Sequence, residues 1–181
     1  MEQLDTARDI FLKYGGSYFH MDREGDYGYY KSFGVSKEQE LAWIEEKQRE
    51  LSSEIKNETN AHKIELLLSE WSDILYNYND VFFFALLLDA VREKRRGLDS
   101  FSQLLVAERI VHVLGSLSQL QGENDVLSDG KDLALELLHR VLNSPITIAE
   151  EYRNTDYLSD VITKRNIVAR ASKAIEVFAK R

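Results

Sequence analysis

The chain has 181 residues, 44% apolar and 30% charged, enough for one soluble folded domain and too apolar for a disordered chain. One proline and nine glycines exclude collagen-like and proline-rich classes, and the absence of cysteine excludes disulfides, thiolate metal sites and cysteine nucleophiles. A net charge of −8 argues against a general nucleic-acid binder, whose surface would be basic.

The opening residues Met1-Glu2-Gln3-Leu4-Asp5 place acids where a signal peptide needs bases and an apolar core. The longest apolar run, residues 81–88, is far short of the about 20 residues that span a membrane, so the expected compartment is the cytoplasm. The spacing of Leu4, Ala7, Ile10 or Phe11, and Tyr14 predicts a short helix over residues 4–14, stopped by Gly15-Gly16. A loop-like segment follows over residues 15–35. Ser36 with Gln39 reads as a capping box, opening a helix to about residue 57 with a narrow stripe of Leu41, Ile44, Leu51 and Ile55.

The next helix, over about residues 61–76, carries Ile64, Leu67, Leu68, Trp71, Ile74, Leu75 and Tyr78 at helical spacing. Asn79 or Asp80 caps the segment that follows. Residues 81–91 are apolar all round except Asp89, which predicts the central helix of the fold and a buried acid in need of a partner such as Arg92, Arg109 or a tyrosine hydroxyl. The tail Arg92-Glu93-Lys94-Arg95-Arg96-Gly97 complements the helix dipole and ends the helix; a nucleic-acid contact is its alternative reading. Asp99 and Ser100 start another helix, with Ser100 and Gln103 as a second capping box and Phe101, Leu104, Leu105, Ile110, Val111, Leu114 and Leu117 inward.

Residues 122–130 read as polar loop. Asp129 or Ser128 then caps a helix over residues 131–142. Ser144-Pro145 reads as the start of a short helix ending near Arg153. Thr155 caps a last helix to the C-terminus, with Leu158, Val161, Ile162, Val168, Ile175 and Phe178 inward. Residues 154–181 carry six bases against three acids, a basic strip expected to pack on acidic neighbours.

The expectation is an all-α fold: a single domain over residues 1–181, of about seven or eight helices in stacked antiparallel hairpins, HEAT-like or an irregular α-α bundle. The pairs at residues 61–96 and 99–142 resemble HEAT-like helical hairpins in size and leucine spacing, over about half of the chain. That resemblance implies a scaffold that binds other proteins.

The unusual segment is residues 15–35. Residues 11–33 hold eight of the 17 phenylalanines and tyrosines, and residues 15–34 hold five of the nine glycines. Tyrosine offers large contact area, a polar tip and few rotamers to freeze, and a long loop in a tightly connected domain is often functional. Tyr18, His20, Asp22, Glu24, Asp26, Tyr27, Tyr29 and Tyr30 are therefore the candidate binding residues. The structural reading is an aromatic plug over one end of the core; the two are compatible if some tyrosines point in and others out.

Asp22-Arg23-Glu24-Gly25-Asp26 starts like a calcium loop, but Tyr27 and Phe33 stand where the turn glycine and bidentate glutamate belong. His62, His112 and His139 are scattered, and the last two read as hydrogen-bonded helix histidines. No HExxH, GxSxG, P-loop or dinucleotide fingerprint is present, so no cofactor, metal or catalytic residue is implied. The expected function is non-catalytic protein–protein interaction through the 15–35 segment and neighbouring helices, with a basic partner surface and neither nucleic acid nor membrane. A bacterial immunity protein or an adaptor would fit by analogy. The alternative is a small-ligand-binding protein or enzyme with a pocket between that segment and the helices, using His20, Asp22, Tyr18 and Tyr30.

Overall fold

The computed structural model describes residues 2–122, 124–154 and 162–179, and all regular structure among them is helical. In chain order the helices are α1 (Glu2–Lys13), α2 (Tyr18–Arg23), α3 (Tyr27–Ser32), α4 (Lys37–Asn57) and α5 (Ala61–Tyr78). They continue with α6 (Val81–Lys94), α7 (Ser100–Gln121), α8 (Asp125–Asn143), α9 (Glu150–Arg153) and α10 (Lys164–Ala179). The fold is all-α, as the periodicity predicts.

Local chemistry sets most of the ends. Gly15 and Gly16 leave α1 at φ of 55° and 75°, which a side chain would resist. Side-chain oxygens of Ser36, Asn60 and Asp80 accept from the amides of Gln39, Lys63 and Phe83 at 3.3, 2.9 and 3.1 Å, starting α4, α5 and α6. Asn79 ends α5 in the left-handed region, at φ 52°.

Five expectations about elements are corrected. The 15–35 segment is two short helices joined at Gly25, because Ser17 Oγ accepts from the His20 amide and starts α2. Asp99, rather than Ser100, caps α7, accepting from the amides of Phe101 and Ser102 at 2.9 and 3.3 Å. Gln103 does reach back, but to the Leu98 carbonyl at 2.7 Å. α8 begins at Asp125, capped by Asn124, so residues 125–130 are helix and not loop. Ser144-Pro145 starts no helix: residues 144–149 form no regular structure, and Thr147 exchanges hydrogen bonds with Ser100. α10 begins at Lys164, with Thr163 Oγ1 accepting from the Asn166 amide at 3.2 Å. The expected cap Thr155, Leu158 and Val161 lie outside the described residues.

The middle of the fold is α7, not α6. α7 packs against α5, α8 and α10, and its Leu104, Ala107, Ile110, Val113 and Leu117 are fully buried. α6 contacts α4, α5 and α8 and leaves a face open, with Phe82 62% exposed. Asp89 lies on that open side and pairs with Arg92 at 3.2 Å, so the buried-acid expectation fails. Leu4 and Leu41 are likewise exposed, while Trp43, Ile167 and Ala171 are buried instead. The basic residues ending α6 hold neighbours together: Lys94 donates to the carbonyls of Lys56 and Glu58, and Arg95 pairs with Glu136. The basic last helix meets an acid as expected, through the two-point pair of Arg170 with Glu108 at 3.0 and 2.5 Å.

Gly130 is a packing notch. A Cβ there would lie 2.9 Å from the ring of Phe84 and 3.2 Å from Leu114, both in the core. Gly130→Ala gains about 1 kcal/mol of helix propensity but forces a buried ring to move, at about 1–3 kcal/mol. The expected result is a net loss of stability, read as a lower urea midpoint; a gain would mean that Phe84 has room to retreat.

Candidate functional site

The 15–35 segment is anchored from within by a carboxylate. Glu40, one turn into α4, is 3% exposed. It accepts from the Tyr18 hydroxyl at 2.5 Å, the Tyr30 hydroxyl at 2.6 Å and the Lys37 ammonium at 3.1 Å. Phe11 stacks on Tyr30 at 5.5 Å and tilts against Trp43 at 6.0 Å. A second buried carboxylate, Glu65, takes the hydroxyls of Tyr152 and Ser69 at 2.7 and 2.6 Å. Burial, then the bonded glutamate, pushes the phenols of Tyr18, Tyr30 and Tyr152 well above the usual range; burial does the same to Tyr78.

The sign of the pH effect follows. A phenol whose folded-state value is raised stabilises the fold fully below its ordinary value near 10, and that contribution is lost as pH rises past it. The thermal midpoint is expected to fall steeply above about pH 10. These four phenols should ionise together with unfolding, which phenolate absorbance measures. Ionisation of all tyrosines in the folded state at ordinary values would contradict this.

The eight candidate binding residues therefore separate. Tyr30 is buried, Tyr18 is tied to Glu40, and Tyr27 leans on Tyr18 at 5.5 Å. Asp26 is bound by the Tyr14 hydroxyl at 2.6 Å and Lys13 at 3.1 Å, which hold its carboxyl below the usual range. These four make the plug. Asp22 is exposed, and Glu24 pairs with its neighbour Arg23. Tyr29 is exposed on the α3 side, edge-on to Phe33 at 4.8 Å. His20 and Glu24 alone among the eight line a broad cleft between α2 and the α5–α7 pair.

That cleft, about 990 Å³, lies between the α1–α2 turn with α2 on one side and α5 with α7 on the other. Phe19, 72% exposed, meets His20 edge-on at 5.5 Å on the α2 wall. Tyr76 and His112 stack at 4.0 Å on the opposite wall. On the same wall Arg109 donates to Asp73 at 2.5 Å. The Asp73 carboxyl is half exposed; the part of it that the cleft walls desolvate raises it above its usual range, against the opposing pull of Arg109, His112 and His20. Glu70, paired with Lys47, and Arg23 complete the rim.

The α5–α7 wall was not among the expected site residues. Its signal is spacing: Asp73 with Tyr76, and Arg109 with His112, sit three residues apart and so share a helix face. His112 and His139 lie within α7 and α8, as read from the sequence, and both are exposed. Among the described residues, no three His, Asp or Glu side chains gather as a metal site, and no helix is long and apolar enough to cross a membrane. No protein-family model matches the chain, and comparisons with curated proteins and with solved structures return no significant match.

Proposed function

We propose that this protein is a non-catalytic protein–protein interaction module that docks its partner in the cleft between α2 and the α5–α7 wall. The observation that carries the reading is the pair of exposed ring contacts, Phe19 with His20 and Tyr76 with His112, which line one cleft together with Arg109. Aromatic residues and arginine dominate the binding energy of interfaces, and rigid rings lose little entropy when covered. The Glu40 anchor supplies that rigidity to the α2 wall. The chain's charge of −8 favours a partner with a basic surface, and the HEAT-like resemblance favours a scaffold role in the cytoplasm, as in an adaptor or immunity protein.

A second reading rests on Asp73, whose raised carboxyl shares the cleft with two histidines, as a small-ligand site or an enzyme would arrange. One experiment separates the two. Phe19→Ala with Tyr76→Ala is expected to weaken a captured partner about 30-fold or more while the melting temperature stays near wild type. A partner retained by the variant, or the absence of any stoichiometric partner, overturns the docking reading. Tyr30 is unsuitable for such a test, because its hydroxyl is part of the buried anchor.

A further inference from the structure

The cleft differs in charge from the chain around it. Over the whole sequence acids outnumber lysine and arginine by 31 to 23. In the cleft lining, Lys13, Arg23 and Arg109 stand against Glu24, Glu70 and Asp73, three of each sign. All six are ion-paired: Arg23 with Glu24, Arg109 with Asp73, Lys13 with Asp26 and Glu70 with Lys47. At neutral pH the six charges cancel.

The other titratable groups of the lining are two phenols and two imidazoles. Tyr14 gives its hydroxyl to Asp26, and Tyr76 lies flat against His112. His20 belongs to α2 and His112 to α7, so one imidazole stands on each wall. Both are exposed, and each lies against a ring rather than in an ion pair. Histidine is the side chain that changes charge between about pH 5 and 8. Protonation of both takes the cleft from balance to two positive charges in excess. A charged His112 remains well placed, because the face of the Tyr76 ring attracts a cation. Asp73 lies within electrostatic reach of both imidazoles, and its own protonation on further acidification acts in the same direction by removing one of the three acids. The remaining histidines, His62 and His139, do not line the cleft.

We propose that His20 and His112 gate the cleft: while neutral they leave it open to a basic partner, and when protonated together they repel that partner, so docking is lost on acidification. The inference rests on the docking reading above and names its regulation.

The probe is a rhodamine-labelled peptide of about ten residues, arginine alternating with glycine. Its anisotropy with the full chain is followed at about pH 8 and about pH 5.5, in the same low salt. Wild type is expected to hold it at least about fivefold more weakly at the lower pH. His20→Gln and His112→Gln should each reduce that ratio, and the double variant should nearly abolish it. His139→Gln removes the same bulk charge away from the cleft and should leave the ratio unchanged. Each ratio is taken within one variant, so a contact weakened at both pH values does not enter it. Melting curves at both pH values check that each variant stays folded. The gate is overturned if the double variant keeps the wild-type ratio, or if His139→Gln lowers it as much as either cleft variant, which assigns the effect to net charge. Wild-type binding that is equal at both pH values, yet lost in Phe19→Ala with Tyr76→Ala, overturns the gate and leaves the docking reading standing. A peptide that binds at neither pH, or equally to that ring variant, overturns the cleft as a site for basic partners and the gate with it.

Discussion

Glu40→Ala is expected to lower the unfolding free energy by about 2–4 kcal/mol, measured by urea denaturation. The buried Tyr30 hydroxyl loses its acceptor, and an unsatisfied buried donor costs about 1–3 kcal/mol. Tyr18, bonded to the same carboxylate, loses its tether to α4. The cavity left by the side chain adds to the loss. Lys37 softens it, because that ammonium is half exposed and returns to water. Glu40→Gln keeps the shape and one acceptor oxygen, so it should cost about half as much. The effect reaches beyond stability: Phe19 and His20 sit on the same short helix as Tyr18. Loosening that helix moves one wall of the cleft, so partner binding should fall in Glu40→Ala even where the protein is still folded. A stability loss below about 1 kcal/mol would mean that the hydroxyls find other acceptors.

Glu40 also shows where sequence reasoning stops. A glutamate in a helix rich in Glu, Lys and Gln reads as solvated surface, since periodicity assigns faces by hydropathy alone. It turns inward only because tyrosines from α2 and α3 bring hydroxyls to it, and Glu65 does the same for Tyr152 of α9. Such pairings are set by tertiary approach and leave no local pattern. Gly130 reads as a loop residue for the same reason: the cause of the glycine is Phe84, on another helix. Pro145 marks a helix start only if no neighbour competes, and here Thr147 exchanges hydrogen bonds with Ser100 instead.

What was legible rests on chemistry within a few residues. Ser36 and Asp80 cap where expected, Gly15-Gly16 stop α1, and Ile64, Leu68, Trp71 and Leu75 form the buried stripe of α5. The aromatic segment was legible as unusual, and its division into an inward set and an outward set follows from which tyrosines can reach a buried acceptor. The opposite wall of the cleft was not, because a polar helix face with one tyrosine and one histidine looks like any solvated face.

Leu87→Ala and Phe82→Ala, two truncations on one apolar helix, are expected to differ severalfold in cost. Leu87 is fully buried against the core, and its truncation should cost about 2–5 kcal/mol in urea unfolding. Phe82 has little more than a third of its surface covered, so its truncation should cost about 1 kcal/mol or less. α6 is apolar all round in sequence, and an enclosed helix would charge both substitutions alike. Equal losses would therefore mean that Phe82 is enclosed in solution as Leu87 is. Unequal losses leave a large ring whose burial the isolated fold does not use.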